Sequence, residues 1–256
     1  MRASRGRRLP WPLLAAALAL ALVAALLYAL GSGRFHLPLA DVVRLLVGRG
    51  ELSDPAQTSM AHAVLWQIRG PRVLASALVG AALAASGAAL QAVFRNPLAA
   101  PDLLGVSAGA ALGAVLGIFL GWSVFAIQGA AFVGGLGAVA LVYSVGTVLP
   151  LRDRTLSLVL AGIAIGSMLG ALIALVKTLA DPYTQLPAIT FWLLGSFASI
   201  TVTDLVLLTG FSLAGLVPLV LVRWRADAPA LSDDEVHAVG VRLPVLRLAL
   251  VCGATL

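Results

Sequence analysis

"QAVFRNPLAAPDLLGVSAGAALGAVLG" runs from Gln91 to Gly117 and joins two kinds of chemistry. Its second half is apolar and small. Glycines fall at 105, 109, 113 and 117, and the spacing continues to Gly121. Residues four apart share a helix face, and a glycine face lets two backbones approach closely where lipid supplies no hydrophobic drive. The first half breaks this pattern with Arg95, Asn96, Pro97, Pro101 and Asp102. Pro97 lacks an N–H and disfavours helix at Asn96, and Pro101 repeats the restriction one turn later. The stretch therefore predicts two apolar helices joined by a non-helical hinge at "NPLAAP". Such backbone persists at membrane depth only where protein buries it or water solvates it. Asp102 is placed to cap a helix starting at Leu103, beside its positive end. An ordinary cytoplasmic hairpin fits the break; the sharper reading is a constriction on a transport path.

Working outward, the rest of the chain is of the same kind. Of 256 residues, 61% are hydrophobic and only 11% charged, which is too little charge for a soluble exterior. Apolar runs cover Leu13–Leu30, Val73–Phe94, Leu103–Gly121, Val124–Leu151, Leu156–Val176 and Leu205–Val222, and a last one starts near Leu243. These runs have the length of membrane spans. The first follows Arg2, Arg5, Arg7 and Arg8, and it reads as a retained helix rather than a signal peptide. "PLADVVRLLVG", Pro38 to Gly48, predicts a short amphipathic helix at the outer surface. "AITFWLLGSFASI", Ala188 to Ile200, is too short to span and predicts a re-entrant or interfacial helix after the turn-rich "DPYTQLP". A second glycine ladder, Gly162, Gly166 and Gly170, predicts another close helix contact.

The net charge of +6 comes from basic residues between the apolar runs, so topology explains it better than nucleic acid does. With a cytoplasmic N-terminus, Arg95, Arg152, Arg154, Arg223, Arg225, Arg242 and Arg247 join the N-terminal arginines inside. Arg34, Arg44, Arg49, Arg69, Arg72 and Lys177 lie outside. The inside carries the excess, as the positive-inside rule requires. The single cysteine, Cys252, forms no intrachain disulfide.

Catalytic and metal-binding patterns are missing from the sequence. The only lysine, Lys177, does not follow a glycine, so there is no phosphate-binding G-x-x-x-x-G-K-[ST] loop. His36, His62 and His237 are scattered over different loops, and no H-E-x-x-H or G-x-S-x-G occurs. No enzymatic activity, bound metal or cofactor is expected in this chain.

"WQIRGPRVLASALVGAALAASGAALQAVFRNPLAAPDLLGVSAGAALGA", Trp66 to Ala114, closely resembles the FecCD-type permeases of ABC importers for iron-siderophores, haem or cobalamin. R-x-P-R, G-A-A-L-A-x-S-G-A-x-x-Q and F-R-N-P-L-A-x-P-x-L-L-G-V-S-x-G-A occur in the family's order and spacing. The likeness continues through "LVLAGIAIGSMLGAL", "FWLLGSF" and "VGVRLPVLR". It implies an all-α, polytopic transmembrane bundle of the type II importer class, one permease domain over 1–256. About seven of the family's ten spans are expected here, the C-terminal ones being absent, with a cytoplasmic coupling loop at 223–245.

The same resemblance implies the site residues. Arg69 and Arg72 match arginines that receive glutamates from a periplasmic substrate-binding protein, and guanidinium forks suit carboxylates. Asn96 and Leu98 match one cytoplasmic gate. Thr155 and Leu156 match the second, although the family can carry a small polar residue where this chain has Leu156. An apolar ring there closes by excluding water. The coupling loop contacts the ATPase. Its own residues predict a helix, because Ser232 and Glu235 form a capping box, Asp233 and Asp234 suit its first turn, and Val236 and Val239 share a face ahead of Gly240. Expected partners are a second permease copy, two ATPase subunits holding ATP and Mg, the periplasmic binding protein and membrane lipid. The expected location is the bacterial inner membrane. Cobalamin or a molybdate-type oxyanion is the alternative cargo. Two other classes stay open: an ion-gradient-driven transporter with its site at the broken helix, and a structural membrane scaffold.

Overall fold

In the computed structural model, residues 10–48, 55–94, 96, 100–148, 154–222, 250 and 253–254 are described. Helix α1 (Trp11–Gly31) is 21 residues of alanine, leucine and other apolar side chains. At about 1.5 Å per residue it is about 31 Å long, the thickness of a hydrocarbon core. Helix α2 (Leu39–Leu46) forms where the amphipathic pattern predicts it, with Asp41 in its first turn and Arg44 in its last. Val42 and Leu45 point into a core with Leu37, Ala61 and Leu65, and Leu39 and Val43 face outward.

The second apolar helix begins well before Val73. Helix α3 (Pro55–Ala63) runs through a π turn (Val64–Arg69) directly into α4 (Gly70–Phe94). Polar residues such as Gln57 and His62 hide this extension from a hydropathy reading, while Pro55 suits a first helical turn. The π turn has a local cause. Pro71 offers no N–H to the preceding turn and its ring crowds a carbonyl there. The wider turn just before it absorbs that conflict, and the Gly70 N–H bonds to the Leu65 carbonyl. A Cβ on Gly70 would lie 2.7 Å from that oxygen.

The third apolar run also departs from expectation. Pro101–Leu104 forms a 3₁₀ turn, Gly105 is left-handed, and the α-helix proper, α5 (Val106–Phe119), has only 14 residues. Asp102 therefore does not cap a helix at Leu103. The tight turn imposed after Pro101 moves the helix start to Val106, and Asp102 instead accepts a hydrogen bond from the Ser107 hydroxyl. The far end of α5 closes with Gly121 at φ +70°. Trp122 N–H bonds to Gly117 O (2.9 Å) and Gly121 N–H to Ile118 O (3.0 Å), a Schellman closure that needs the left-handed residue.

Helices α6 (Val124–Val148), α7 (Arg154–Leu179), α8 (Gln185–Leu194) and α9 (Val202–Val222) follow. Among the described residues, α1, the α3–α4 helix, α6, α7 and α9 are long and apolar enough to cross a membrane. Helix α8 starts three residues earlier than the sequence suggests and stops at Gly195, and Gly195–Ile200 is not helical.

The chain folds into two units. One comprises 1–77 with 197–206, and the other 78–196 with 207–256. The core of the second unit contains Leu90, Val93, Leu104, Val139, Val142 and Ile165. In it α5 packs on α6 and α7, and α8 packs on α5. The first glycine ladder builds the α5–α6 contact. A Cβ on Gly109 would fall on the Gly134 carbonyl, and one on Gly113 on the Ala130 carbonyl. Gly117 faces Ile127 and Trp122 at 3.1–3.3 Å. Of the second ladder, Gly162 abuts the Leu103 carbonyl, while a Cβ on Gly166 or Gly170 would meet nothing within 4 Å. Of the predicted packing glycines, these two are the exceptions within the chain: α7 stays packed beyond Gly162 through Ile165 and Leu169, not through these glycines.

Candidate functional site

Arg69 closes the π turn and Arg72 follows one turn later in α4. The two guanidiniums are differently engaged. Arg69 is half-buried. Its Nη1 donates to Leu30 O (2.8 Å) and Gly31 O (3.1 Å), and its Nη2 donates to Phe35 O. Leu30 and Gly31 end α1, where carbonyls lack helical partners and a cation suits the dipole. Arg69 thus caps one helix from another and gathers the loop after it. Gly33 makes room: its φ is +146°, and a Cβ there would stand 2.5 Å from Arg69 Nη2. Arg72 is exposed and donates from Nη2 to Ala198 O, in the stretch between α8 and α9.

The predicted gate residues lie in the second unit. Asn96 is half-buried and non-helical, and its backbone N–H bonds to Gln91 O (3.2 Å), one residue wider than an α turn. The hinge is therefore non-helical at Asn96 and again at Ala100, which is extended. Leu98 lies outside the described residues. Thr155 and Leu156 sit in the first turn of α7, and Leu156 is 51% exposed. The coupling residues Ser232, Asp233, Asp234, Glu235, Val236, Val239 and Gly240 also lie outside the described residues, as does the whole 223–245 loop. Among the described residues, no three His, Cys, Asp or Glu side chains come together as metal ligands.

Two capping arrangements escaped the sequence reading. Asp181 Oδ2 accepts from the Tyr183 N–H (3.2 Å), the Thr184 N–H (2.7 Å) and the Thr184 hydroxyl (2.6 Å). The Thr184 hydroxyl, followed by the Thr184 and Tyr183 amides, holds the Asp181 carboxyl below its ordinary range. Gln185 completes the lock: its Oε1 accepts from the Asp181 N–H (3.0 Å) and its Nε2 donates to Phe119 O (2.9 Å), tying α8 to the end of α5. At the start of α9, Thr201 N–H and hydroxyl donate to Asp204 Oδ2, and Asp204 N–H donates to the Thr201 hydroxyl (3.2 Å). That is a reciprocal capping box, legible in principle as Thr-x-x-Asp before an apolar run.

This is an all-α, multi-pass membrane bundle of the importer-permease kind, with a 3₁₀ turn at Pro101 before one helix and an arginine fastening another. The profile of the FecCD transport family matches residues 20–256, and the chain belongs to that family. It is 34% identical over 240 residues to the molybdate import system permease protein MolB of Haemophilus influenzae, covering 93% of this chain and 69% of that protein. It is 40% identical over 198 residues to an iron chelatin transport system permease protein of Helicobacter pylori, covering 77% of this chain and 59% of that one. Among solved structures, a metal-chelate type ABC transporter in an inward-facing conformation superposes with a TM-score of 0.79 at 32% identity. That match covers 96% of this chain and 73% of the other. The chain thus spans about three fifths to two thirds of these curated relatives' length.

Proposed function

We propose that the chain is the membrane-spanning permease subunit of an ATP-driven importer that carries an iron chelate from periplasm to cytoplasm. The observation that carries this reading is the likeness, over 96% of the chain, to a transporter of metal-chelate type. ATP hydrolysis belongs to a separate pair of ATPase subunits, which hold ATP and Mg. A loaded binding protein docks on the face that carries Arg69 and Arg72. The chelate passes between two permease copies, and the Asp233–Gly240 segment transmits ATPase closure to the gates at Asn96, Leu98, Thr155 and Leu156. The N-terminus is cytoplasmic, which puts the α7–α8 connection outside.

Molybdate is the second reading, favoured by the 34% identity to a molybdate permease. The test is uptake into proteoliposomes that hold the permease with its ATPase and binding protein. Labelled ferric siderophore, haem, cobalamin and molybdate are supplied in turn, with ATP or with an ion gradient alone. ATP-dependent accumulation of a ferric chelate is expected. Accumulation of molybdate alone moves the assignment to the oxyanion, and uptake driven by the gradient without ATP sinks the importer reading.

A further inference from the structure

We infer that α2 is a membrane-interface helix, whose uncovered apolar face lies against phospholipid at the boundary where α1 ends. This role is independent of the cargo. Helix α2 carries a wider apolar arc than the protein core uses. Val42 and Leu45 are buried with Leu37, Ala61 and Leu65. On the adjoining arc Leu39, Val43 and Leu46 are exposed, as is Val47 just past the helix end. At about 100° of turn per residue, Asp41 and Arg44 fall on the opposite side. There Arg44 pairs with Asp41 (3.5 Å), its side chain 67% exposed. One strip of the helix is thus committed to protein and another to water. The apolar strip between them has no cover among the described residues.

Contact with α1 sets the depth of that strip. Val42 sits against Gly31, the last residue of α1: a Cβ on Gly31 would stand 3.9 Å from Val42 Cγ2. Leu37 N–H bonds to Gly31 O (3.3 Å), folding the connection back onto the helix end. Because α1 is about as long as the hydrocarbon layer is thick, Gly31 marks the edge of the acyl chains. The aromatic residues of α1 mark the same limits. Trp11 opens the helix and Tyr28 lies one turn before its end, 77% and 74% exposed, as amphipathic rings do at the two headgroup levels.

At this depth the chemistry selects the occupant. Leu39, Val43, Leu46 and Val47 meet the acyl-chain side of the headgroup layer, and Asp41 and Arg44 turn towards headgroups and water. Helix α1, on which α2 rests, is itself apolar and exposed along most of its length, which makes acyl chains its surroundings. The uncovered strip of α2 continues that lipid-facing surface around the end of the span.

Spin labels measure the depth directly. The full chain, in a Cys252→Ser background, is reconstituted in liposomes of phosphatidylethanolamine and phosphatidylglycerol. Nitroxides are attached at Leu39→Cys, Val43→Cys and Val47→Cys on the uncovered strip, at Arg44→Cys on the polar side, and at Leu20→Cys midway along α1. Power saturation compares collisions with oxygen, which concentrates among acyl chains, and with a water-soluble nickel chelate. The three labels on the strip are expected to show an oxygen-to-nickel ratio about threefold or more above that of Arg44→Cys and below that of Leu20→Cys, as a helix seated about 5–10 Å into the boundary requires. Nickel access at Val43→Cys and Val47→Cys equal to that at Arg44→Cys would put the strip in water and overturn the inference. Shielding of these labels from both reagents would place protein there, a second permease copy or another subunit, and would overturn it as well.

Discussion

At the scale of single residues, identical amino acids in identical spacing carry different loads. Gly113 and Gly170 both belong to four-residue glycine ladders, yet only Gly113 meets a neighbouring backbone. Gly113→Leu is expected to force α5 and α6 apart, costing about 3 kcal/mol or more. Gly170→Ala adds a methyl to open space and gains helix propensity, so a neutral effect or a gain of up to about 1 kcal/mol is expected. Thermal unfolding in one detergent measures both, and equal losses would contradict this account of the ladders. Sequence spacing showed that these glycines share helix faces. It did not show which face meets a partner, because that depends on where the neighbouring helix runs. Arg69 and Arg72 teach the same lesson: the R-x-P-R motif makes them look like twins, and only the position of the α1 carbonyls separates them.

At the scale of elements, the ends of the short helices are where polar chemistry concentrates. Asp181 holds the entry to α8, and its carboxyl is depressed below the ordinary value. A depressed carboxyl contributes stability that is present above the unfolded pKa, near 3.9, and is lost as pH falls through the lower folded value. The Thr184 amide is therefore expected to stay protected at pH 5 and to open only in stronger acid; opening between pH 6 and 5 would contradict the cap. Asp181→Ala should remove the protection at every pH. Thr201→Ala breaks the reciprocal box of α9 and is expected to cost about 1 kcal/mol, read from thermal unfolding. These caps were not found from the apolar pattern because hydropathy locates helix middles and is blind to how ends close. The same blindness set the predicted second span at Val73, although the helix begins at Pro55.

At the scale of the whole chain, the class was legible from run lengths and charge, since few other folds tolerate so many apolar runs separated by so few charges. The third run was misjudged for a physical reason: run length counts Leu103–Gly121 as one helix, and the backbone spends its first residues on a 3₁₀ turn and a left-handed glycine. Orientation can be tested directly. Tyr183 is 88% exposed in the connection between α7 and α8, and Leu156 opens α7 at its other end. In a Cys252→Ser background, a membrane-impermeant maleimide applied from the periplasmic side should label Tyr183→Cys and spare Leu156→Cys. The reverse pattern would invert the proposed topology. The wide turn before Pro71 has one more consequence. It acts as a phase shifter: one surplus residue in the turn rotates everything upstream by about 100° relative to an unbroken helix. A one-residue deletion between Val64 and Ile68 would restore the regular winding, set α3 facing a different direction, and carry Ala61 away from the core it shares with Val42 and Leu45.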